Sequence, residues 1–321
     1  GVLLEINNVT IKMLTDGQIF SSPIFDCSYL YGSSSPSINS LTFVDCNVDS
    51  NISIFKFSNY PGIIFENLNF EGKSTQCKSV LDCDDNSSVQ FTNCNFSNFN
   101  EHSTIFALNF IKSELYFTGC NFFKNKCSLF YLFESSPKQV TFDSCHFSEN
   151  NATDILSFIF LIGNQMTGAI EYSIFKDCYF SHNYIYSSEG GENCYGTVIG
   201  LSNSLHFEGT NKFTNCHSIS FDQFDPSTTK NYGGTVTIIH TSENPYKLEN
   251  CSFKNCSANN MGGGLFSCIL SDEMTDDDTI VLHLTNCNFT SCTSLENGGG
   301  LSCGHSFFEV AYSSQTELKV K

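Results

Sequence analysis

Apolar and polar positions alternate in short runs that recur along the chain. In one clear copy, Val89 and Phe91 share one parity, whereas Cys94 and Phe96 share the other. Because successive side chains of a β-strand point to opposite faces, this change of parity predicts two short strands joined at a corner. The next two copies repeat the pattern at 115–122 and 140–147.

The motif occurs eleven times when its central residue, a cysteine in nine copies, is taken as an anchor. These anchors are Asn7, Cys27, Cys46, Leu68, Cys94, Cys120, Cys145, Cys178, Cys216, Cys251 and Cys287. Successive anchors lie 19 to 26 residues apart up to Cys145 and 33 to 38 residues apart after it. Repeats of this length indicate a solenoid. We expect one solenoid over 1–321, with regular short coils over 1–150 and longer coils with inserts over 151–321.

A second corner is predicted after the second strand of each repeat, where Asn125, Asn150 and Asn183 stand. Asparagine tolerates the left-handed backbone region, which suits a corner. A third apolar stretch then follows in most copies, at 52–57, 104–110, 128–133, 155–161, 197–201 and 235–239. Three short strands per coil predict an all-β fold, a parallel β-helix of about eleven coils.

A helical solenoid and a β-propeller are the competing repeat architectures. No ten-residue run carries the i, i+3, i+4 apolar stripe of an amphipathic helix, and β-branched and aromatic residues dominate. A propeller blade needs about forty residues for its four strands, which is more than the early repeats contain. The pattern therefore excludes both alternatives.

Two interior columns of phenylalanine are predicted, because equivalent residues of successive coils lie about 4.8 Å apart. The first column is expected to hold Phe43, Phe65, Phe91, Phe117 and Phe142. The second is expected to hold Phe70, Phe96, Phe122, Phe147 and Phe180. At about 2 kcal/mol per buried phenylalanine, these columns supply most of the driving force for folding.

The charge of the chain excludes several kinds of partner and chemistry. Fifteen lysines oppose 33 acidic residues, so the formal net charge is −18, and there is no arginine. Lysine or arginine must neutralise nucleic-acid phosphates, so no nucleic acid is expected as a partner. Without arginine, bidentate clamps on phosphate or carboxylate are impossible. No run of 18 apolar residues exists, so no membrane-spanning segment is expected in this chain.

The seventeen cysteines favour an oxidising compartment, so we expect the chain outside the cell or at a cell surface. A reduced protein that uses cysteine as a small core residue is the alternative. The nine anchor cysteines are expected to remain thiols. Three pairs among the other eight are candidates for disulfides: Cys77 with Cys83, Cys256 with Cys292, and Cys268 with Cys303. The first pair flanks a short insert, the second is 36 residues apart, as Cys251 and Cys287 are, and the third follows two glycine motifs.

Two kinds of motif resemble the repeats of the polymorphic outer membrane protein (Pmp) family. The Phe-x-x-Asn units lie at 122–125, 147–150 and 180–183, and units like the companion Gly-Gly-Ala-aliphatic repeat lie at 262–265, 298–301 and 233–236. The third glycine-motif position is Gly or Thr instead of Ala. The cysteine-rich anchors look more like the trichomonad surface proteins than the chlamydial autotransporters that share such repeats. This resemblance implies a right-handed β-helix and adhesion at a cell surface.

A carbohydrate-binding or carbohydrate-active protein is the alternative function, because pectate-lyase-like and polygalacturonase-like enzymes also use parallel β-helices. Such lyases use an arginine base, which is absent here, and such hydrolases need two clustered carboxylates. The acidic clusters at 82–85 and 272–278 fall in inserts, where solvated loops or weak Ca²⁺ sites are the simpler interpretations. No tryptophan is present to stack on sugars, and the eight histidines lack metal-ligand spacing. We therefore predict no catalytic residue, no cofactor and no metal site.

Eight Asn-x-Ser/Thr sequons occur, about the number that the composition predicts by chance. The candidates for glycosylation are Asn86, Asn151, Asn8 and Asn51. Sequons beside anchors are expected to be denied access by stacking, namely those at Asn95, Asn250 and Asn288.

Together, these features predict a non-enzymatic structural or adhesion protein that acts in attachment or builds a filament or coat. Its expected partners are a protein or glycan at a cell surface, or copies of itself end to end. Solenoids need polar caps at their ends, yet the motif begins at Leu4. We therefore expect the chain to be a fragment of a longer one.

Overall fold

The computed structural model describes most of the repeat motifs and leaves many of the longer connections out. The described residues are 5–12, 24–27, 37–44, 53–57, 62–71, 79–83, 88–99, 105–107, 114–131, 139–153, 157–162, 172–187, 196–201, 204–220, 234–240, 246–259, 262–269, 281–295, 298–304 and 317–320. All regular elements within these ranges are β-strands. The chain divides into two compact units, 1–150 and 151–321, at the boundary where the repeat was predicted to lengthen.

Unit 1 contains fifteen strands among its described residues. They are β1 (Glu5–Lys12), β2 (Phe25–Cys27), β3 (Ser37–Val44), β4 (Ser53–Phe57), β5 (Gly62–Glu66), β6 (Asn69–Glu71), β7 (Ser79–Cys83), β8 (Ser88–Thr92), β9 (Asn95–Ser97), β10 (Phe106–Ala107), β11 (Glu114–Thr118), β12 (Asn121–Phe123), β13 (Phe130–Tyr131), β14 (Gln139–Asp143) and β15 (His146–Ser148).

The strands of unit 1 stack as successive coils of a parallel β-helix. The pair β8 and β9 lies in register with β11 and β12, which lie in register with β14 and β15. In each unit the first two strands of the coils form what we call the first sheet, whereas the third strands of unit 1 form separate parallel sheets, β2–β4–β7 and β10–β13. The predicted coil of three short strands is therefore confirmed in this unit, whereas its right-handedness stays a prediction.

Unit 2 contains nineteen strands among its described residues. They are β16 (Asn151–Thr153), β17 (Ser157–Ile162), β18 (Tyr172–Lys176), β19 (Tyr179–Ser181), β20 (Tyr184–Ser187), β21 (Gly196–Leu201), β22 (Ser204–Glu208), β23 (Lys212–Thr214), β24 (His217–Ser220), β25 (Val236–His240), β26 (Tyr246–Glu249), β27 (Ser252–Lys254), β28 (Ser257–Ala258), β29 (Leu265–Ile269), β30 (Val281–Thr285), β31 (Asn288–Thr290), β32 (Thr293–Ser294), β33 (Leu301–Gly304) and β34 (Glu317–Val320).

Each longer coil of unit 2 carries a fourth strand. After the pair β18 and β19, the chain forms β20 and then β21, and the following coils repeat this order. The extra strands form the five-stranded sheet β16–β20–β24–β28–β32, and the last strands form β17–β21–β25–β29–β33. The apolar stretches predicted at 197–201 and 235–239 belong to this last sheet. The fourth strand explains part of the longer repeat.

Burial follows the parity predicted for the first two strands. Val89 and Phe91 before the corner, and Cys94 and Phe96 after it, are all fully buried. Gln90, between the first two, is exposed. The corner therefore shifts the inward parity of the chain by one residue, as the sequence predicts.

The two phenylalanine columns are confirmed over most of unit 1. Ring centroids in the first column, from Phe65 to Phe91 to Phe117 to Phe142, are 4.8, 5.0 and 4.9 Å apart. In the second column, the rings of Phe96, Phe122 and Phe147 are 5.2 and 4.9 Å apart. Edge-to-face contacts of 5.4 to 6.4 Å join the two columns. Offset and edge-on geometries are favourable for aromatic pairs beyond their buried area.

Phe43 is the exception to the predicted columns. In the backbone register it lies opposite Phe70, so it belongs at the second column position and not beside Phe65. The reason is that β3 runs unbroken through the place where later coils turn a corner. The sequence motif around Cys46 therefore imitates the repeat five residues out of phase, because Leu41 lies opposite Leu68 at the anchor position. Cys46 itself lies outside the described residues.

Two other anchors near the start of unit 1 are also wrong. β1 pairs with β3 so that Val9, and not Asn7, lies opposite Leu41 at the anchor position. Cys27 lies in β2, which pairs with β4 in the sheet of third strands. The predicted short steps of about 20 residues therefore disappear.

The prediction that Asn125, Asn150 and Asn183 adopt the left-handed conformation is wrong, although each marks a corner. The preceding residue has the positive φ in every case, namely Lys124 at 55°, Glu149 at 54° and His182 at 52°. The three asparagines are fully buried instead. Each of these three corners thus consists of a left-handed residue followed by an inward asparagine.

The inward asparagines satisfy backbone groups of neighbouring coils. Asn125 donates from Nδ2 to the carbonyl oxygen of Phe96 at 3.0 Å, and its Oδ1 accepts from the amide of Phe99 at 3.1 Å. Oδ1 of Asn150 accepts from both the amide and Nδ2 of Asn125 at 3.0 Å. Buried backbone groups must find hydrogen-bond partners. These asparagine side chains supply the partners for the backbone groups at the corner between two strands.

The anchor cysteines perform the same task at the first corner. Cys120 donates from Sγ to the carbonyl of Phe91 at 3.4 Å, and Cys145 donates to that of Phe117 at 3.4 Å. Each thiol therefore acts as a weak donor to the preceding coil as well as a small buried side chain.

Cys216 is not the anchor of its coil, contrary to the prediction. Phe213 lies in register with Phe180 on one side and Phe253 on the other, at the second column position. The first corner of this coil is therefore at Asn211. This corner, 209–211, is one residue longer than the first corners of the neighbouring coils. The added residue explains why the motif aligns on Cys216, at the next corner.

Asn211 replaces cysteine at this first corner. It donates from Nδ2 to the carbonyl of Phe175 at 3.2 Å and accepts from the amide of Cys178 at 2.9 Å. In the same unit, Cys256 stands at a second corner and donates from Sγ to the carbonyl of Phe213 at 3.6 Å. Asparagine and cysteine thus both bond backbone carbonyls of the neighbouring coil at corners of unit 2.

The glycine motifs stack at the start of the last sheet of unit 2. Val236, Leu265 and Leu301 lie in register, and Val198 adds a copy that the sequence analysis missed. A side chain at Gly234 is impossible without backbone movement, because its Cβ would lie 1.8 Å from a backbone oxygen of the next coil. Close approach of the backbones therefore explains the glycines.

Asn125→Ala is predicted to destabilise unit 1 by about 2 kcal/mol or more, because it leaves two buried backbone groups without their partners. The free energy of unfolding in urea measures this loss. Asn121→Ala is the matched control, since Asn121 is exposed on the same coil and its side chain donates from Nδ2 to Oδ1 of the exposed Asn95 at 2.8 Å. An equal loss in both variants would contradict the role of the inward asparagine.

Ser173→Val is predicted to stabilise unit 2 by about 1 kcal/mol, because the buried Ser173 hydroxyl has no hydrogen-bond partner among the described residues. Leu205 occupies the corresponding position of the next coil. Ser204→Val is the control and should destabilise, since its Oγ lies 3.0 Å from Nε2 of His206. Urea unfolding measures the free energy of unfolding of both variants. Destabilisation by Ser173→Val would contradict the prediction and show that valine is too large for the site.

Candidate functional site

The extra sheet of unit 2 presents a face to solvent that we call the outer face. Its inward residues, Ala152, Ile185, Ser218 and Ala258, are 0 to 5% exposed, so their neighbours on each strand point outward. The outer face comprises two rows, Asn151, Tyr184, His217, Ser257 and Thr293, and Thr153, Tyr186, Ile219, Asn259 and Leu295.

The outer face carries no charged side chain, although the chain has a net charge of −18. Its ten residues are aromatic, aliphatic, hydroxyl or amide residues and one histidine. Burial, together with the nearby His182, lowers the pKa of His217, so this imidazole is neutral near pH 7. Burial also raises the pKa of Tyr186, which keeps its phenol protonated. The face is therefore an uncharged surface on an acidic protein.

Aromatic rings occupy the centre of the outer face. The rings of Tyr184 and His217, on neighbouring strands, are stacked with centroids 4.9 Å apart. Tyr186 lies two residues along the strand from Tyr184, and their rings are parallel within 7° at 6.2 Å. All three side chains are half-buried. The parallel strands and their register therefore hold three rings in one fixed group.

A hydroxyl fixes the histidine of this group. Nδ1 of His217 lies 2.6 Å from Oγ of Ser257, which is in register on the next strand. A nucleophilic serine needs a base that is itself oriented by a third group, and no carboxylate stands on the outer face. The contact orients the imidazole, whose face stacks on the ring of Tyr184.

Leu295 makes the outer face partly apolar at its end. Its side chain is 80% exposed, the one large hydrophobic side chain so exposed among the residues that the structure describes. Ile219 lies in the same row. Mixed apolar and hydrogen-bonding surface of this kind is typical of binding sites.

The outer face does not follow from the repeat motif in the sequence. The signal was the alternation Tyr184-Ile185-Tyr186, which reads as a strand with tyrosines on one side. The repeat predicts a corner at Asn183 after the strand that contains Phe180, and it predicts the next strand at 197–201. Because the coils were assumed to have three strands, the fourth was not recognised.

The structure places only some of the predicted disulfide candidates. Ser257 lies opposite Thr293, so Cys256 and Cys292 occupy stacked positions on neighbouring coils, as predicted from their spacing. Both are thiols here, and their disulfide stays a prediction. Cys268 lies opposite Gly304, whereas Cys303 lies opposite Ser267, so this third pair is one residue out of register. Cys77 and the side chain of Cys83 are outside the described residues.

The sequons beside the anchors are more accessible than expected. Asn95, Asn250 and Asn288 all have exposed side chains, because they lie just before or after the inward anchor and so point outward. Asn151, a predicted candidate, is also exposed. Asn86, Asn51 and the side chain of Asn8 lie outside the described residues. Glycosylation at each of these positions stays a prediction.

No group of three or more histidine, cysteine or acidic residues suited to a metal occurs in the described ranges. The cluster 272–278, Asp84 and Asp85 lie outside them. Asp82 lies within β7 and not in an insert, contrary to the prediction. None of the described segments forms a helix long and apolar enough to cross a membrane.

Comparison with known proteins adds no family to these observations. No family model matches the chain, and no curated protein or solved structure shows a significant match. The resemblance to Pmp-type repeats therefore rests on the motifs in the sequence.

Two stacked thiols at one first corner, Cys251 and Cys287, differ in pKa. The hydrogen bond to Cys287, together with burial, raises the pKa of Cys251, whereas the same hydrogen bond lowers the pKa of Cys287 to about 7. Cys251 is buried and Cys287 is partly exposed. Because the thiolate is the nucleophile, Cys287 combines the charge and the access that alkylation needs.

Iodoacetamide is therefore predicted to alkylate Cys287 faster than Cys251 in the folded chain at about pH 8, and more slowly as the pH falls below its pKa. Peptide mass spectrometry after timed quenching measures both rates in one sample. Cys94 is the internal control, since the hydrogen bond to Cys120 and burial raise its pKa. Equal rates at all three positions would contradict the prediction.

Proposed function

We propose that this chain is a non-enzymatic, extracellular or cell-surface structural protein that acts in adhesion, with the outer face as its contact surface. The observation that carries the proposal is the uncharged, ring-bearing surface of unit 2 on a chain with a net charge of −18. A strongly acidic body remains soluble by self-repulsion, whereas an uncharged patch on it favours contact with a partner.

The stacked coils support this role, because they hold the outer face in one geometry. In unit 2 the ring centroids of Phe180, Phe213, Phe253 and Phe289 are 4.5 to 4.9 Å apart beneath the neighbouring first sheet. The extra sheet shares the same coils and the same register. A surface fixed before binding loses little conformational entropy when a partner arrives.

The chemistry of the outer face favours binding over hydrolysis of a glycan. Hydrolases on this type of fold need two carboxylates within about 10 Å of each other, and the ten residues of the face include none. The hydroxyl, amide and phenol groups instead donate and accept hydrogen bonds without ionising. This supports adhesion as the function, and these groups suit a carbohydrate ligand.

Antibody labelling of intact, unpermeabilised cells of the source organism tests the location. We expect surface labelling without permeabilisation. Labelling that requires permeabilisation would contradict the proposal.

Bead adhesion tests the function. Beads coated with the folded chain should bind to cells that the source organism contacts, whereas beads coated with the reduced, unfolded chain should not. Thr293→Asp adds a charge to the outer face and is predicted to reduce bead attachment several-fold. Thr118→Asp is the matched control, because Thr118 is exposed on the first sheet of unit 1. Equal attachment by both variants would show that the outer face does not take part in adhesion.

A further inference from the structure

The charge of the molecule restricts what the outer face can bind. Anionic polymers and lipids are repelled by a chain with 33 acidic residues and 15 lysines. A second copy brings the same charge of −18 and the same repulsion. An uncharged ligand meets no such barrier, and an uncharged face requires no ion pairing from it.

The ring group suits a ligand with an apolar face and a polar edge. Tyr184 is fixed between His217 at 4.9 Å and Tyr186 at 6.2 Å, so its orientation is set before a ligand arrives. The faces of pyranose rings present C–H groups, which pack on aromatic rings, while their hydroxyls point outward. Tyrosine adds a phenol that hydrogen-bonds at the edge of such a contact.

Hydrogen-bonding groups extend from the rings along both rows. Thr153 and Asn151 lie on one side of the tyrosines, and Ser257 and Asn259 lie beyond the histidine and isoleucine on the other. Five strands at about 4.8 Å give a strip roughly 19 Å long across the strands. A strip of this length fits several consecutive sugar units better than a single one.

We propose that the outer face binds a neutral glycan chain, whose sugar rings pack against the exposed parts of the Tyr184 and Tyr186 rings. The inference deepens the proposed adhesion function, because it names the chemical class of the partner at the same surface. It requires no reaction at the site, and the neutral His217 contributes shape and hydrogen bonding only.

The test titrates the full chain with three neutral probes, cellohexaose, chitohexaose and β-1,4-mannohexaose, and with one anionic probe, a heparin hexasaccharide. Isothermal titration calorimetry is expected to show binding of at least one neutral probe at or below about millimolar Kd, and no binding of heparin. Tyr184→Ala is predicted to weaken that binding about tenfold, which corresponds to about 1.4 kcal/mol.

Two further variants separate stacking from unfolding. Tyr184→Phe keeps the ring and is predicted to stay within about threefold of the parent Kd, which is under about 0.7 kcal/mol. Tyr116→Ala removes a half-buried tyrosine from the first sheet of unit 1, where its hydroxyl bonds Glu114 at 2.8 Å, and should leave binding unchanged. Circular dichroism confirms that each variant is folded.

Three results would overturn the inference. These are no binding of any neutral probe, binding that folded Tyr184→Ala leaves unchanged, or tighter binding of heparin. Self-association that Tyr184→Ala abolishes, without binding of a neutral probe, would assign the face to a second copy instead. If beads still attach to cells while no neutral probe binds, the adhesion function stands and only the glycan assignment fails.

Discussion

Most of the corners that the structure describes depend on an inward polar side chain. At a corner the chain bends between two short strands. Some backbone N–H and C=O groups at the bend therefore cannot pair with those of neighbouring strands. Asn125 and Cys120 reach those groups from the interior, and the left-handed residue before each of them makes the reach possible. Burial of an unpaired backbone group costs about 1 to 3 kcal/mol, so a solenoid of many corners cannot leave them unsatisfied.

The phenylalanine columns follow from the same constraint. Because each corner residue fixes where the next strand begins, equivalent rings meet at 4.8 to 5.0 Å, as from Phe65 through Phe142. The corner also sets the outward parity that brings Tyr184 and His217 into contact on neighbouring strands of unit 2. Core packing and the candidate binding surface are thus two consequences of one register.

The sequence predicts the parallel β-helix, the change of parity at the corner and most of the ring stacking. It misplaces Cys216 because one added residue before Asn211 shifts the corner, and asparagine there does not look like the cysteine it replaces. Cys27 is misplaced because the short sequence around it, in a third strand, resembles the sequence around an anchor. The outer face is missed for a physical reason, since a tyrosine pair on a strand signals a surface only once the strand count is known.

A double-mutant cycle between Asn125 and Asn150 tests most directly whether inward corner residues couple neighbouring coils. Urea unfolding of the two single alanine variants and the double variant gives the coupling free energy. The account predicts a coupling of about 1 kcal/mol or more, because Oδ1 of Asn150 accepts two hydrogen bonds from Asn125. The exposed pair Asn95 and Asn121 should couple by less than about 0.5 kcal/mol. Additive effects for Asn125 and Asn150 would contradict the account.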